Sequence, residues 1–504
     1  MYLAVLGRQP EISIAELEAL GWVRRSDLGL VGRDNGRRAG SVSANIGNNG
    51  RSDSVSARDN SGRPEKHYAL QSGRKSSYKR GFAMPSEEAG KIFVGNLPDK
   101  KEVPEISRLG GVLKLAVLIE ETPIELLRKL PEGKITIGVS DYSRGASQKT
   151  ARAEALKLKK ILTRHGRSVR VLENKSAVLS TATSLHNGLA GKNERKIELI
   201  KLNEEWYKVI GVQDIDAYAG RDQARPSRDA KVGMLPPKLA QILINLCGEL
   251  PEGARILDPF CGTGVVLQEA LLMGYRAYGT DINERMVEYS KKNLEWLLSR
   301  KECQALLHNS YERVADTSGF GTVSLATRRR RTKLRPRACP EDRGTDRTRT
   351  NYATKLECQV SECQDSSRDE KRSFRGEKER SLVQVGDARS FKWEQPINAV
   401  VCEGYLGQPM SKVPPEIKLK SEKQQCKDII LGFLRNLSGQ IGGGVPVVIA
   451  MPAWLREDGR YSRIEIIDEI EKLGYNVINR SRGGLLYHRE GQIVARDIIS
   501  LRKK

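Results

Sequence analysis

The sequence has no unbroken apolar run long enough to span a bilayer. Its first residues, Met1-Tyr2-Leu3-Ala4-Val5-Leu6-Gly7, place no cationic segment ahead of their short apolar stretch. Membrane-spanning and secreted classes are therefore not expected. None of the eight cysteines stand in a Cys-x-x-Cys spacing, and the five histidines do not cluster with them. That argues against a disulfide scaffold and a structural zinc site, and free thiols fit a reducing cytoplasm. Aromatic residues make up only 5% of the 504 residues and hydrophobic residues 38%. This is thin for a chain packed throughout, so part of it is expected to lie outside any core. What the sequence has in excess is positive charge: 86 Lys+Arg against 63 Asp+Glu, a net +23. Such a balance favours a polyanionic partner, most simply nucleic acid.

Two basic segments, 22–90 and 318–386, lack both a sustained period and apolar residues to bury, and they are expected to be disordered insertions. Around the first, strand-like sequence at Tyr2–Leu6, Ile92–Val94 and Val112–Ile119 outlines an N-terminal α+β domain over 1–125. Ser13 and Glu16, three apart, read as a capping box opening its helix. Residues 126–212 form a second α+β unit. Its helix Ala151–His165 sets Ala155, Leu158, Ile161 and Leu162 on one face, with lysines and an arginine on the other. A linker, 213–235, follows. From residue 236 to 504 strands and helices alternate, which implies a mostly parallel, doubly wound α/β sheet. A closing hairpin around Glu490-Gly491 would add an antiparallel edge.

The chemistry concentrates in Asp258-Pro259-Phe260-Cys261-Gly262-Thr263-Gly264, a glycine-rich turn between a strand and a helix. In such a sheet ligands bind at the carboxyl ends of the strands. Gly262 and Gly264 allow close backbone approach, and Asp281, ending the next strand, can take a ribose hydroxyl pair. A dinucleotide site wants a third glycine, which Gly-Thr-Gly-Val-Val-Leu lacks. The turn instead resembles the S-adenosylmethionine (SAM) turn of amino-group methyltransferases, to which Asp258, Phe260, Gly262, Gly264 and Asp281 would contribute. Gly386-Asp387-Ala388 resembles the acidic motif that holds the adenine amine in such enzymes. Their catalytic loop usually reads [Asp/Asn]-Pro-Pro-aromatic; here Cys402-Glu403-Gly404-Tyr405 follows the strand Ala399–Cys402. Tyr405 matches the stacking aromatic, and Glu403 is the carboxylate in reach to accept hydrogens from an amine. Cys402 reads as a buried, inert thiol rather than a nucleophile.

Further strings carry a resemblance to one family. Asp222-Gln223-Ala224-Arg225-Pro226-Ser227-Arg228-Asp229, with Gly233-Met234-Leu235-Pro236-Pro237-Lys238-Leu239-Ala240, resembles the junction ahead of the catalytic domain in THUMP-containing tRNA guanosine-N2 methyltransferases, the position-ten type. Ile135–Ser140 and Thr183–Asn187 resemble THUMP elements. Tyr487-His488-Arg489 with Gln492–Arg496 resembles the family's closing hairpin. The resemblance implies a Rossmann-like SAM-dependent methyltransferase domain behind a THUMP RNA-binding domain at 126–212, with tRNA as substrate in the cytoplasm. Arg221, Arg225, Arg228 and Lys231 would then hold RNA phosphate. Two other readings stay open: a DNA amino-methyltransferase, and a non-catalytic RNA-binding protein whose methyltransferase domain has decayed.

Overall fold

The computed structural model describes residues 1–25, 92–98, 101–189, 191, 193–229, 234–300, 382–479, 484–489 and 491–504. They fall into two units. The first comprises Met1–Pro10, Trp22–Ser107 and Val112–Ile215; the second comprises Glu11–Gly21, Arg108–Gly111 and Asp216–Lys504. Among the described residues no helix is long and apolar enough to cross a membrane.

The first unit is built on one eight-stranded sheet. In chain order its strands are β1 (Tyr2–Leu6), β2 (Val23–Arg24), β3 (Ile92–Asn96), β4 (Val112–Leu118), β5 (Ile135–Asp141), β6 (Val169–Val171), β7 (Lys196–Leu202) and β8 (Glu205–Val212), and in space they run β2-β3-β1-β4-β8-β7-β5-β6. The boundary expected at residue 125 is no break in this sheet: β4 pairs antiparallel with β8, Val117 opposite Lys208. Its helices are α2 (Pro123–Arg128), α3 (Gln148–Arg164) and α4 (Thr181–His186), and the expected helix is α3. It is capped by Ser147 and buries Ala151, Ala155, Leu158 and Leu162 while its lysines stay in solvent.

Most of both basic segments lies outside the described residues, but their expected edges need correction. Trp22 is buried, with its ring edge-on to Tyr2 and Phe93. Val23–Arg24 pairs with β3, and Arg25 reaches Glu205 at 2.7 Å. At the other segment, Val383–Val385 is a strand of the second sheet. In both places two or three apolar residues suffice because a strand edge supplies the hydrogen bonds, and so short a run has no readable period.

The second unit holds helix α1 (Pro10–Ala19), which starts three residues ahead of the expected capping box. Glu16 therefore caps nothing. It is buried, and it accepts the N–H groups of Gly110 and Gly111 and the amide of Asn245. The expected linker is also largely ordered: α5 (Ile215–Gln223) occupies its first half. After α6 (Pro237–Asn245) come β9 (Arg255–Asp258), α7 (Val265–Leu272), β10 (Arg276–Asp281) and α8 (Glu284–Ser299), then β11 (Val383–Val385) and β12 (Ala399–Glu403). Helix α9 (Glu416–Ser438) leads to β13 (Pro446–Leu455), followed by β14 (Tyr461–Ser462), α10 (Ile467–Lys472), β15 (Tyr475–Val477), β16 (Leu485–Tyr487) and β17 (Val494–Lys503). The main sheet order is β11-β10-β9-β12-β13-β17-β15. From β11 to β13 it is parallel; β17 inserts antiparallel beside β13, with β15 and β16 antiparallel to it. This is the expected doubly wound sheet with an antiparallel closing edge. Alternate residues feed two cores: Ala399 and Val401 pack with α6 and α7, Val400 and Cys402 with α9.

Candidate active site

Strand order reverses between β9 and β12. The chain leaving one turns away from the chain leaving the other, which opens a crevice at the carboxyl ends of the strands. A cavity of about 720 Å³ sits there, walled by the turn after β9, the ends of β10 and β12, and the start of β17. That volume suits a cofactor-sized ligand.

The floor is the glycine-rich turn. Asp258 is buried, and its Oδ1 accepts the N–H of Phe260 at 3.1 Å. Gly262 has φ +50° and donates its N–H to Asp281 Oδ2 at 2.9 Å; the other oxygen of Asp281 accepts from the N–H of Asn283. Turn and carboxylate are thus fixed to each other across two strands. Asp281→Asn should loosen this lock and weaken binding of a ribose-bearing ligand, with SAM as the probe, by roughly 10-fold or more, as for a hydrogen bond to a charged group; calorimetry giving an unchanged affinity would remove Asp281 from the site. Burial pushes the Asp258 carboxyl well above its usual range, and the neighbouring Asp281 and Glu403 push the same way. Burial also raises Asp281, against the pull of the Asn283 and Gly262 N–H groups.

Phe260 lines the cavity and meets Phe433 edge-on, ring centroids 5.2 Å apart. Gly264 does not line it. It has φ +80°, and a Cβ there would collide with Ser290 Oγ, so this glycine lets α7 pack closely on α8.

The opposite wall carries the catalytic candidates. Glu403 ends β12, and its Oε1 accepts from Arg496 Nε on β17 at 2.7 Å. Tyr405 lines the cavity half-buried, its hydroxyl accepting from Gln408 Nε2 at 3.3 Å. Cys402 is fully buried, and burial pushes its thiol well above the usual range, which agrees with an inert role.

Among the described residues, the other sequence candidates do not line this cavity. Asp387 does not line the cavity; Arg389 Nη2 holds its carboxylate at 2.6 Å and keeps it below the usual range. Arg221 donates to the buried Glu269 at 2.7 Å, and Arg225 is itself buried beside Asp222, so neither guanidinium is displayed to solvent. Both sit in or just beyond α5, whose packing the expected linker did not foresee. Arg228 is exposed, and Lys231 lies outside the described residues. Conversely, Asp229, Met234, Met286 and Arg496 line the cavity, although only the junction and hairpin strings hinted at three of them.

Charge decides what the cavity can accept. Among the described residues lining it, four carboxylates (Asp229, Asp258, Asp281 and Glu403) face a single cation, Arg496. A pyrophosphate would be repelled; a ligand bearing sulfonium and ammonium charges would be attracted. Residues 225–311, which contain the turn and Asp281, match the family model of RMKL-like methyltransferase domains. The match lies wholly within the second unit.

The domain's curated relatives agree. A tRNA (guanine(10)-N2)-dimethyltransferase of Methanothermobacter thermautotrophicus is 51% identical over 15% of this chain and 22% of its own length. The protein of that name from Methanocaldococcus jannaschii is 28% identical over 35% of this chain and 52% of its own. These proteins carry the position-ten specificity to which the junction and hairpin strings pointed. A Type II methyltransferase, M.MwoI of Methanothermobacter wolfeii, is 36% identical over 17% of this chain and 14% of its own. The matched segments thus span between about a fifth and a half of the tRNA-acting relatives.

Proposed function

We propose that the protein is a SAM-dependent tRNA (guanine-N2)-methyltransferase acting at position ten, with its first unit, THUMP-like over 126–212, engaging the tRNA. The carrying observation is the anionic cavity at the strand reversal, with a ribose-type acid, Asp281, on one side and an acceptor–aromatic pair, Glu403 and Tyr405, on the other. The donor set fits SAM: Asp281 would hold the ribose, Asp258 and Asp229 would face the cationic end, and Phe260 would cover an apolar edge. Bound there, SAM supplies an electrophilic methyl group. Glu403 takes hydrogens from the base amine, whose lone pair is otherwise delocalised into the ring, and Tyr405 stacks on the base drawn out of its helix.

The test is transfer of labelled methyl from SAM to a tRNA transcript, followed by nucleoside analysis for N2-methylguanosine, beside a DNA duplex of matching sequence. The M.MwoI similarity makes DNA the second substrate to try. Label in DNA alone would replace this reading, and no label in either would favour the decayed-domain alternative.

The raised Asp258 and Asp281 carboxyls make a further expectation. A cationic ligand prefers their ionised forms, and lowering the pH protonates groups with raised pKa values first. SAM affinity should therefore fall as the pH is lowered, and binding where these carboxyls are protonated should release protons. Calorimetry in buffers of different ionisation enthalpy measures both; an affinity that does not change with pH would contradict the assignment.

A further inference from the structure

Arg496 is the cation of this carboxylate-lined cavity, and only part of it is used. Nε donates to Glu403, while Nη1 and Nη2 make no hydrogen bond among the described residues and the side chain is 5% exposed. Glu403 is left in the mirror condition: Oε1 accepts from Arg496, and Oε2 carries no hydrogen bond among the described residues. A structural ion pair would be expected to satisfy its donors internally. This one instead presents a free acceptor and a free donor fork side by side on the cavity wall.

That pattern has a counterpart among the bases. The Watson–Crick edge of guanine offers N2–H and N1–H donors followed by the O6 acceptor. Adenine offers an acceptor at N1 and a donor at N6, the reverse of guanine at both places. We propose that Glu403 and Arg496 together read guanine, Oε2 of Glu403 accepting from both the reacting N2–H and the adjacent N1–H, and the Nη groups of Arg496 donating to O6. Arg496 is then a specificity-determining residue, and the pair explains how this loop works without the proline-rich motif. The proposal rests on the functional reading above.

Base analogues test it, because two of them keep the 2-amino group and change only the edge. 2-Aminopurine lacks O6 and N1–H; 2,6-diaminopurine puts an amine where O6 stood. A tRNA carrying guanosine, 2-aminopurine or 2,6-diaminopurine at the target position is assayed for methyl transfer by the unaltered protein. Guanosine should lead in kcat/KM by roughly 10- to 100-fold, the discrimination expected of a good edge-reading pair. Arg496→Met should shrink the ratio of guanosine to 2-aminopurine to the part that Glu403 reads at N1–H, and Arg496→Lys, which keeps a donor, should retain more of it. Equal kcat/KM on all three RNAs by the unaltered protein overturns the proposal without any variant having to fold. So does an Arg496→Met protein that keeps the full preference. Failure to methylate the guanosine tRNA at all would overturn the functional reading as well, and so differs from failure of this inference alone.

Discussion

Glu403→Ala should slow methyl transfer to tRNA by about 10²–10⁴-fold, the usual contribution of a positioned proton acceptor. SAM binding should change little, because the cofactor turn and Asp281 are held by their own hydrogen bonds. The choice of Glu403 over the other cavity carboxylates follows from occupancy. Asp281 has backbone N–H groups on both oxygens, and Asp258 turns one oxygen to Phe260. Glu403 stands on the wall with Tyr405, and its Oε2 is uncommitted among the described residues. Burial raises the Glu403 carboxyl, and Arg496 pulls it back down. The guanidinium thereby favours the ionised form that can accept hydrogens. Glu403→Gln keeps an oxygen at the site and should be the milder change. Single-turnover assays with labelled SAM separate transfer from binding. A normal rate in Glu403→Ala would move the acceptor role to a backbone carbonyl of the same loop.

The parts of the molecule legible from sequence are those whose cause is local. The turn from Asp258 to Gly264 declares itself because glycine is needed where φ is positive, and the strand and helix on either side are written in adjacent residues. The role of Arg496 was not legible, although its string was conspicuous, because its partner lies 93 residues away on another strand. Glu16 shows the same limit from the other side. Its spacing from Ser13 satisfies a local capping rule, yet the helix begins at Pro10 and the carboxylate is claimed by N–H groups about ninety residues on. Arg221 and Arg225 looked available for phosphate because a run rich in arginine and aspartate reads as solvated. Only the packing of α5 shows Arg221 turned onto Glu269 and Arg225 buried beside Asp222. Asp387 is engaged more locally still: an arginine two residues on pairs with its carboxylate within the loop. Local rules located the glycine-rich turn; long-range partners determined which charged side chains are engaged elsewhere.

The same principle gives the largest stability effect expected in the first unit. Lys114→Met should destabilise this unit by about 3–5 kcal/mol, the cost of stranding one partner of a buried ion pair. Lys114 and Glu198 are almost wholly buried, with Nζ and Oε1 2.6 Å apart, and the ammonium also donates to the carbonyl of Leu179. Ser140 donates to the same carboxylate oxygen and Ser184 to the other, so three side chains from separate elements converge on one buried carboxylate. Ser140 and Ser184 lie in the two strings that resembled THUMP elements, which gives those strings a structural role in holding the sheet and the following helix together. Removing the lysine leaves the carboxylate charged, dry and supported by two hydroxyls alone. Adding Glu198→Gln to Lys114→Met should recover much of the loss, because a neutral amide still accepts from the serines. Chemical denaturation of the single and double variants measures this coupling. A single variant within 1 kcal/mol of the unaltered protein, on the scale of an exposed pair, would show that the network does not hold this unit together.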